Sequence, residues 1–274
     1  MGSALLLPLG HLFGFVLLLP NPLTRPPAWL RPVFPGSEWR GAPAGPTGRP
    51  RLYLTFDDGP IPEETPWVLE QLAAHQALGT FFCVGDNLAR HPAIARAALA
   101  AGHRLGNHTQ RHRSAWRTPR AEYLAGVAEC ERNLELVMRN EELPASDSLV
   151  GMRKGESIRL NPGALLNPEA APALIPHSIQ TPNLKLFRPP YGRLTWPVLR
   201  QLRPRYRVIM WSLLTRDYDP GLAPERALRL TLAATRPGDI VVLHDSRKAS
   251  RSLRFLLPRL LAHYSELGFE FATL

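Results

Sequence analysis

The sequence contains few cysteines and few lysines, and the shortage of cysteines excludes one class of protein. Cys83 and Cys130 are the only cysteines, too few for the disulfide scaffold of a small secreted domain. Cys83 lies in the apolar run 80–84, which predicts a buried free thiol. Three of the 33 basic residues are lysines, and the arginines are scattered without a run of five or more. The net charge of +10 therefore indicates an arginine-rich composition, and we expect no nucleic-acid partner because the sequence has no basic stripe interleaved with aromatics.

Charged side chains are missing from residues 4–20, and Arg25 is the first charged residue. This apolar stretch is long enough for the core of a signal peptide and marginal for a membrane span. It has no basic segment before it and no clear small-residue cleavage site after it. A signal, an uncleaved anchor and an upstream mis-start are all open interpretations. We expect membrane or envelope association through residues 4–20 and a location in the envelope or outside the cell, with the cytoplasm as the alternative.

The rest of the chain predicts one large α/β domain. Residues 1–50 form the apolar segment and an irregular lead-in, and residues 51–274 form the domain, with an insertion of poor periodicity at about 141–185. Short apolar runs alternate with amphipathic stretches, which is typical of βα units around a mostly parallel sheet. The predicted strands are 52–56, 80–84, 103–107, 186–188, 207–213, 239–243 and 269–273. The predicted helices are 64–77, 87–101, 119–139, 195–202, 223–236 and 249–266.

Polar clusters follow several of these strands, and parallel α/β folds place active sites at that edge of the sheet. Asp57 and Asp58 are adjacent carboxylates that repel each other, so one or both need a cation. His108 and His112 are four residues apart, and on a helical turn they would share one face, as a divalent metal requires. The alternatives are a solvated turn capped by aspartate and two ordinary surface histidines.

Three further clusters suit acyl chemistry. Arg188 can hold a carboxylate in a fixed, ionised orientation. The turn that follows it offers backbone N–H groups for an oxyanion hole. His244 is a candidate general acid, with Asp217 as the carboxylate that raises its pKa. The alternatives are a rigid proline turn and a half-buried histidine with no role in chemistry.

Together and in this order, the clusters resemble the polysaccharide deacetylase family, which is carbohydrate esterase family 4 with its NodB-homology domain. The matching segments are TFDDGP at 55–60, HTQRH at 108–112, RPPYG at 188–192, RDY at 216–218 and LHD at 243–245. The resemblance covers about 51–274 and implies a distorted (β/α) barrel with fewer than eight regular strands, mostly parallel, and outer helices. Tyr218, Leu214 and Arg113 depart from the usual family pattern, but none of these departures removes a ligand, the base or the acid.

The resemblance also implies a role for each matched residue. Asp57 corresponds to the catalytic base, Arg188 to the residue that orients it, Asp58, His108 and His112 to the metal ligands, Tyr191 to the donor of an oxyanion N–H, His244 to the general acid, Asp217 to its partner, and Leu243 to the wall of the acetyl pocket. The implied cofactor is one divalent metal ion, Zn²⁺ in the first place, with Co²⁺, Fe²⁺, Ni²⁺ or Mn²⁺ as alternatives.

The implied activity is hydrolysis of N-acetyl groups on an N-acetylated poly- or oligosaccharide, with release of acetate. No serine or cysteine nucleophile motif is evident, so no covalent intermediate is expected. An O-acetyl carbohydrate esterase is the alternative within the enzyme class, because the same site can attack an ester. A non-catalytic carbohydrate-binding relative is the alternative outside it, although such relatives usually lose a ligand, the base or the acid.

Overall fold

The computed structural model describes residues 25–26, 31–32, 34–140 and 184–274. The apolar segment 4–20 and nearly all of the predicted insertion at 141–185 lie outside these ranges. Within them, no helix is long and apolar enough to cross a membrane.

The described ranges contain strands and helices in alternation. The strands are β1 Ser37–Glu38, β2 Arg51–Asp57, β3 Gly79–Cys83, β4 Arg104–Asn107, β5 Lys185–Phe187, β6 Tyr206–Ile209, β7 Leu213–Leu214, β8 Ile240–His244 and β9 Glu270–Phe271. The helices are α1 Thr65–Ala74, α2 Gly85–Arg90, α3 Pro92–Ala100, α4 Arg120–Arg139, α5 Trp196–Leu202, α6 Pro224–Ala234 and α7 Ser250–Glu266. The mostly parallel α/β prediction is confirmed, since all the paired strands are parallel.

The sheet is curled into a distorted barrel. Its strand order is β1-β6-β5-β4-β3-β2-β8-β7, with β9 beside the start of β2. Strands β6 and β7 lie near opposite ends of this order, yet β6 ends at Ile209 and β7 begins at Leu213. A chain segment of that length spans at most about 14 Å. The two ends of the sheet are therefore close together, which requires the curl.

Side chains alternate between the two faces of the strands, and this alternation divides the core into two clusters. Leu54 and Phe56 of β2 pack in one cluster with helices α1 and α7, whereas Tyr53 packs in the other. Strand β8 divides in the same way, with Leu243 in the first cluster and Val242 in the second. Since successive side chains of a strand point to opposite faces, the first cluster lies under these helices and the second lies on the other face of the sheet.

Two predicted elements are divided in the structure. The helix expected at 87–101 is two helices, α2 and α3, because Pro92 lacks an N–H and disfavours helical backbone at His91. The strand expected at 207–213 is interrupted where its partner changes. The Met210 N–H donates to the carbonyl of Glu38 at 2.7 Å, and the Ser212 N–H donates to the carbonyl of Ile240 at 3.1 Å.

The described part of the lead-in packs on the domain. Strand β1 pairs with β6, and Phe34 and Trp39 are buried in the second cluster. The buried free state predicted for Cys83 is confirmed, and Cys130 is also free and buried.

Candidate active site

The predicted site residues converge at the carboxyl edge of the parallel sheet. Asp57 ends β2 and His244 ends β8, and these two residues are register partners in the β2–β8 pair. His108 and Arg188 directly follow β4 and β5, and Asp217 comes soon after β7. The fold thus brings together clusters that are far apart in the sequence.

Asp58, His108 and His112 form a compact group of candidate metal ligands. Their ligand atoms lie within 4.8 Å of one another. The Oδ1 atom of Asp58 is 3.2 Å from Nε2 of His112 and 3.8 Å from Nε2 of His108. This oxygen is buried and accepts no hydrogen bond from the described residues. A buried carboxylate oxygen facing two imidazole nitrogens fits a divalent cation.

The hydrogen bonds of His108 support the same interpretation. Its Nδ1 lies 2.8 Å from the carbonyl oxygen of Arg188. A carbonyl oxygen only accepts, so Nδ1 carries a proton, and Nε2 is the ring nitrogen that faces Asp58. Ring orientation by a backbone carbonyl is common among metal-binding histidines.

The helical turn expected to join the two histidines is not present, and that prediction is wrong. Residues 108–112 form a loop in which Thr109 has a φ of 66° and His112 a φ of 51°. The Thr109 N–H donates to Oδ1 of Asn107 at 2.9 Å, and Nδ2 of Asn107 donates to the carbonyl of Val127 at 2.8 Å. These bonds hold the loop against α4, and the two imidazole centroids lie 4.9 Å apart.

Asp57 is paired with a completely buried arginine. Nη1 of Arg188 lies 2.7 Å from Oδ1 of Asp57 and 2.7 Å from Oγ1 of Thr55. Nη2 donates to the carbonyl of Met210 at 3.1 Å, and the guanidinium stacks on Phe82. Burial opposes ionisation of Asp57, but the charges of Arg188, His108 and His244 and the hydrogen bond from Arg188 together outweigh it, so the pKa of Asp57 is lowered. The carboxylate is therefore ionised and fixed in orientation.

His244 is held by Asp217 through two contacts. Nδ1 of His244 lies 2.8 Å from Oδ1 of Asp217, and the His244 backbone N–H donates to Oδ2 at 2.7 Å. Burial lowers the pKa of His244, but the charge and hydrogen bond of Asp217, together with the charges of Asp58 and Asp57, raise it to about 9. The rings of Tyr218 and His244 contact each other in a T-shaped arrangement, with 4.9 Å between centroids. His244 is therefore a cation at neutral pH, with Nε2 as its second donor.

Tyr191 lies beside the metal-binding group. Its ring centroid is 4.5 Å from that of His112, and its backbone has a φ of 60°. The next two N–H groups, of Gly192 and Arg193, donate to proline carbonyls in the turn. The Tyr191 N–H has no acceptor among the described residues, so it is free to donate to a ligand.

Leu243 is placed differently from the other predicted site residues. It is completely buried in the first cluster, on the face of β8 opposite to His244. Val242 has the orientation of His244 and packs in the second cluster. The acetyl contact implied for Leu243 stays a prediction. In this strand the side chain of Val242, and not that of Leu243, points to the face that carries the site.

Several side chains that support the site have no role predicted from the sequence. Thr55 lies within the motif at 55–60 and Asp245 within the motif at 243–245, so their positions in the sequence indicate that they lie near the site. Asn107 precedes His108 and ends an apolar strand, which gave a weaker signal. Thr65 belongs to no motif, and its contact with Asp245 is visible only in the fold.

Comparison with known proteins gives consistent matches. A family model described as polysaccharide deacetylase matches residues 44–143. A chitooligosaccharide deacetylase of a Bradyrhizobium species is 33% identical over 201 residues, covering 73% of this chain and 72% of that protein. A peptidoglycan-N-acetylglucosamine deacetylase of Bacillus cereus is 27% identical over 226 residues, covering 81% of this chain and 85% of that protein.

The fold is shared with solved structures. The peptidoglycan deacetylase PdaC of Bacillus subtilis superposes with a TM-score of 0.60 at 18% identity, covering 82% of this chain and 88% of that one. The family model and the one-third identity to a curated relative over most of both chains agree with the five motifs. On these matches, the chain belongs to the polysaccharide deacetylase family.

Proposed function

We propose that the protein is a metal-dependent hydrolase that removes N-acetyl groups from an N-acetylated poly- or oligosaccharide and releases acetate. The observation that carries the proposal is the arrangement of an ionised Asp57, a protonated His244 and the Asp58–His108–His112 group at one edge of the sheet. The named relatives act on chitooligosaccharides and peptidoglycan N-acetylglucosamine, which supports the same class of substrate here.

Asp58, His108 and His112 would hold the ion. A divalent cation there supplies Lewis acidity towards the acetamide oxygen and lowers the pKa of water from about 15.7 towards about 7. Two imidazoles and one carboxylate suit Zn²⁺, and Co²⁺, Fe²⁺, Ni²⁺ or Mn²⁺ bind similar donors.

Asp57 is the proposed base. Its Oδ1 is engaged by Arg188, while Oδ2 accepts no hydrogen bond from the described residues and is free to take a proton from the attacking water. Arg188 keeps the carboxylate ionised and prevents it from rotating. The Tyr191 N–H is the proposed donor to the oxygen that becomes negative as the acetamide carbon turns tetrahedral.

His244 is the proposed acid, and its chemistry favours an amide over an ester. An amine leaves readily only when it is protonated, so a histidine that stays protonated at neutral pH suits a C–N bond. As that bond breaks, Nε2 gives its proton to the nitrogen, which leaves as a free amine. The hydroxide left when Asp57 takes a proton from water adds to the acetamide carbon, so the acyl product is acetic acid, which ionises to acetate. The proton on Asp57 then replaces the one that His244 gave up.

We also propose a location and domain boundaries for the protein. Residues 51–274 are proposed as the catalytic domain, with the insertion at about 141–185. Association with a membrane or the envelope is proposed through residues 4–20, whose apolar composition is its basis.

The test is acetate release from a panel of N-acetylated and O-acetylated saccharides by wild-type protein and Asp57→Asn, each after chelation and Zn²⁺ re-addition. Wild-type protein should release acetate from N-acetylated members only when Zn²⁺ is restored. Asp57→Asn should lose about 10²–10⁴-fold in kcat, because general base catalysis contributes that much. Release from O-acetylated members alone would make the protein an esterase, and no release from any member would contradict the proposed activity.

A further inference from the structure

Asp245 is a completely buried carboxylate that the proposed chemistry does not use. It directly follows His244 at the end of β8, and its side chain points at the turn after β2. Its Oδ1 accepts a hydrogen bond from the Gly59 N–H at 3.0 Å, and its Oδ2 accepts one from the Thr65 hydroxyl at 2.6 Å. Both oxygens thus accept from protein donors, and Asp245 lies outside the group of Asp58, His108 and His112 whose atoms could hold a metal ion.

These bonds belong to a set that fixes the turn on both sides of Asp58. The Asp245 N–H donates to the carbonyl of Asp57 at 3.2 Å. The Thr65 hydroxyl also accepts from the Ile61 N–H at 2.9 Å. The carbonyl of Asp58 accepts from Nδ2 of Asn87 at 2.7 Å. The backbone is therefore held before, at and after the metal-binding carboxylate.

The turn needs this support because its conformation is unfavourable. Asp58 has a φ of 83°, a left-handed conformation that is unfavourable for a side chain other than glycine. Gly59 is required for a different reason, since a Cβ there would lie 2.0 Å from Oδ2 of Asp245. The absence of a side chain at Gly59 lets the Asp245 carboxylate reach the backbone of the turn.

We propose that Asp245 is a positioning residue, which holds the turn in the geometry that aims Asp58 at His108 and His112. This inference rests on the proposed metal site. It predicts that Asp245 governs metal affinity without contacting the metal.

The test is the equilibrium affinity for Zn²⁺, measured by competition with a chromophoric chelator on the full chain. Asp245→Ala should bind Zn²⁺ about 10–100-fold more weakly than wild-type protein, as removal of a partner behind a metal ligand commonly does. Asp245→Asn keeps an oxygen for the Gly59 N–H and an amide that can donate to Thr65, so it should recover most of the affinity.

Asp239 provides a matched control. It is also completely buried and precedes the first residue of β8, so it lies at the opposite end of the same strand, where it pairs with Arg25 and Arg40. Asp239→Ala should lower stability while leaving the affinity for Zn²⁺ unchanged. If Asp239→Ala weakened Zn²⁺ binding as much as Asp245→Ala, a general loss of stability would explain both and the inference would fail.

Further outcomes separate this inference from the proposed function. Wild-type affinity in Asp245→Ala would overturn the positioning role while leaving the metal site intact, whereas absence of Zn²⁺ binding by wild-type protein would overturn both. If Asp245→Ala does not fold, the affinity for Zn²⁺ is measured on Thr65→Val and Thr65→Ser instead. Loss of affinity in the valine variant alone supports the role, and unchanged affinity in both contradicts it.

Discussion

Arg188 links the two halves of the candidate site at the scale of single residues. Its guanidinium fixes the Asp57 carboxylate, and its backbone carbonyl fixes the ring of His108. Removing one partner of a buried ion pair commonly costs about 3–5 kcal/mol, since the other charge is left uncompensated. The proposed base and a proposed metal ligand therefore depend on one buried residue, which gives a reason for a charged side chain in the core.

Asp217→Asn should change the pH dependence of deacetylation. The protonated form of His244 persists up to its pKa of about 9 because Asp217 raises that pKa, so wild-type activity should fall as the pH rises through that value. Without the charge, burial lowers the pKa of His244 unopposed by Asp217, and the alkaline limb of the kcat profile should move to lower pH. The measurement is kcat against pH for both proteins.

Asp219→Asn is the matched control for this shift. Asp219 is a half-buried aspartate two residues away that pairs with Arg216 instead of His244. Its variant should keep the wild-type alkaline limb. An alkaline limb at the wild-type pH in Asp217→Asn would show that His244 is not the acid held by that carboxylate.

At the scale of elements, the loop between β4 and α4 is shaped by its neighbours. Asn107 bonds to the loop and to α4, and the backbone N–H of Gln110 donates to the carbonyl of Gly126 in α4 at 3.0 Å. The side chain of Gln110 donates to Asp86 of α2 at 2.9 Å. Two helices therefore determine the backbone that presents His108 and His112.

Asn107→Ala should weaken both the loop and the metal site. Loss of the Asn107 amide leaves the Thr109 N–H and the Val127 carbonyl without their side-chain partner. The free energy of unfolding should therefore fall by about 1–3 kcal/mol. The affinity for Zn²⁺ should fall about 10–100-fold, because the backbone that carries His108 is released. Urea unfolding and chelator competition measure the two effects.

Thr231→Ala serves as the comparison for Asn107→Ala. Thr231 is completely buried in α6 and donates to the carbonyl of Ala227 in the same helix. Its variant should lose stability alone, with unchanged affinity for Zn²⁺. Equal affinities in Asn107→Ala and wild-type protein would mean that the loop keeps its geometry without Asn107.

The sequence predicts the strands and helices better than it predicts the loop that carries His108 and His112. Strand and helix positions follow from apolar periodicity, which is local, and the structure agrees to within a few residues for most of them. The spacing of His108 and His112 also suits a helical turn, but Thr109 and His112 adopt left-handed backbone. That conformation depends on distant partners such as Val127, which no local pattern contains.

At the scale of the whole molecule, the parallel arrangement explains why sequence order was sufficient to predict the clustering of the site. Carboxyl ends of parallel strands share one edge, so motifs after successive strands meet there. The curl of the sheet was implied by the family resemblance and not by any pattern, since it depends on the change of partner between β6 and β7. Once the position of β8 in the sequence is known, the packing of Leu243 away from His244 follows, because successive side chains of a strand point to opposite faces.

The most direct test of the central claim is Zn²⁺ binding to chelator-stripped protein, in wild-type form and in Asp58→Asn, with Asp219→Asn as the control. Wild-type protein and the control should each bind one ion per chain with equal affinity. Asp58→Asn should bind at least about 100-fold more weakly, because it loses the charged ligand between His108 and His112. Wild-type protein that binds no ion, or Asp58→Asn that binds as tightly as wild type, would contradict the account.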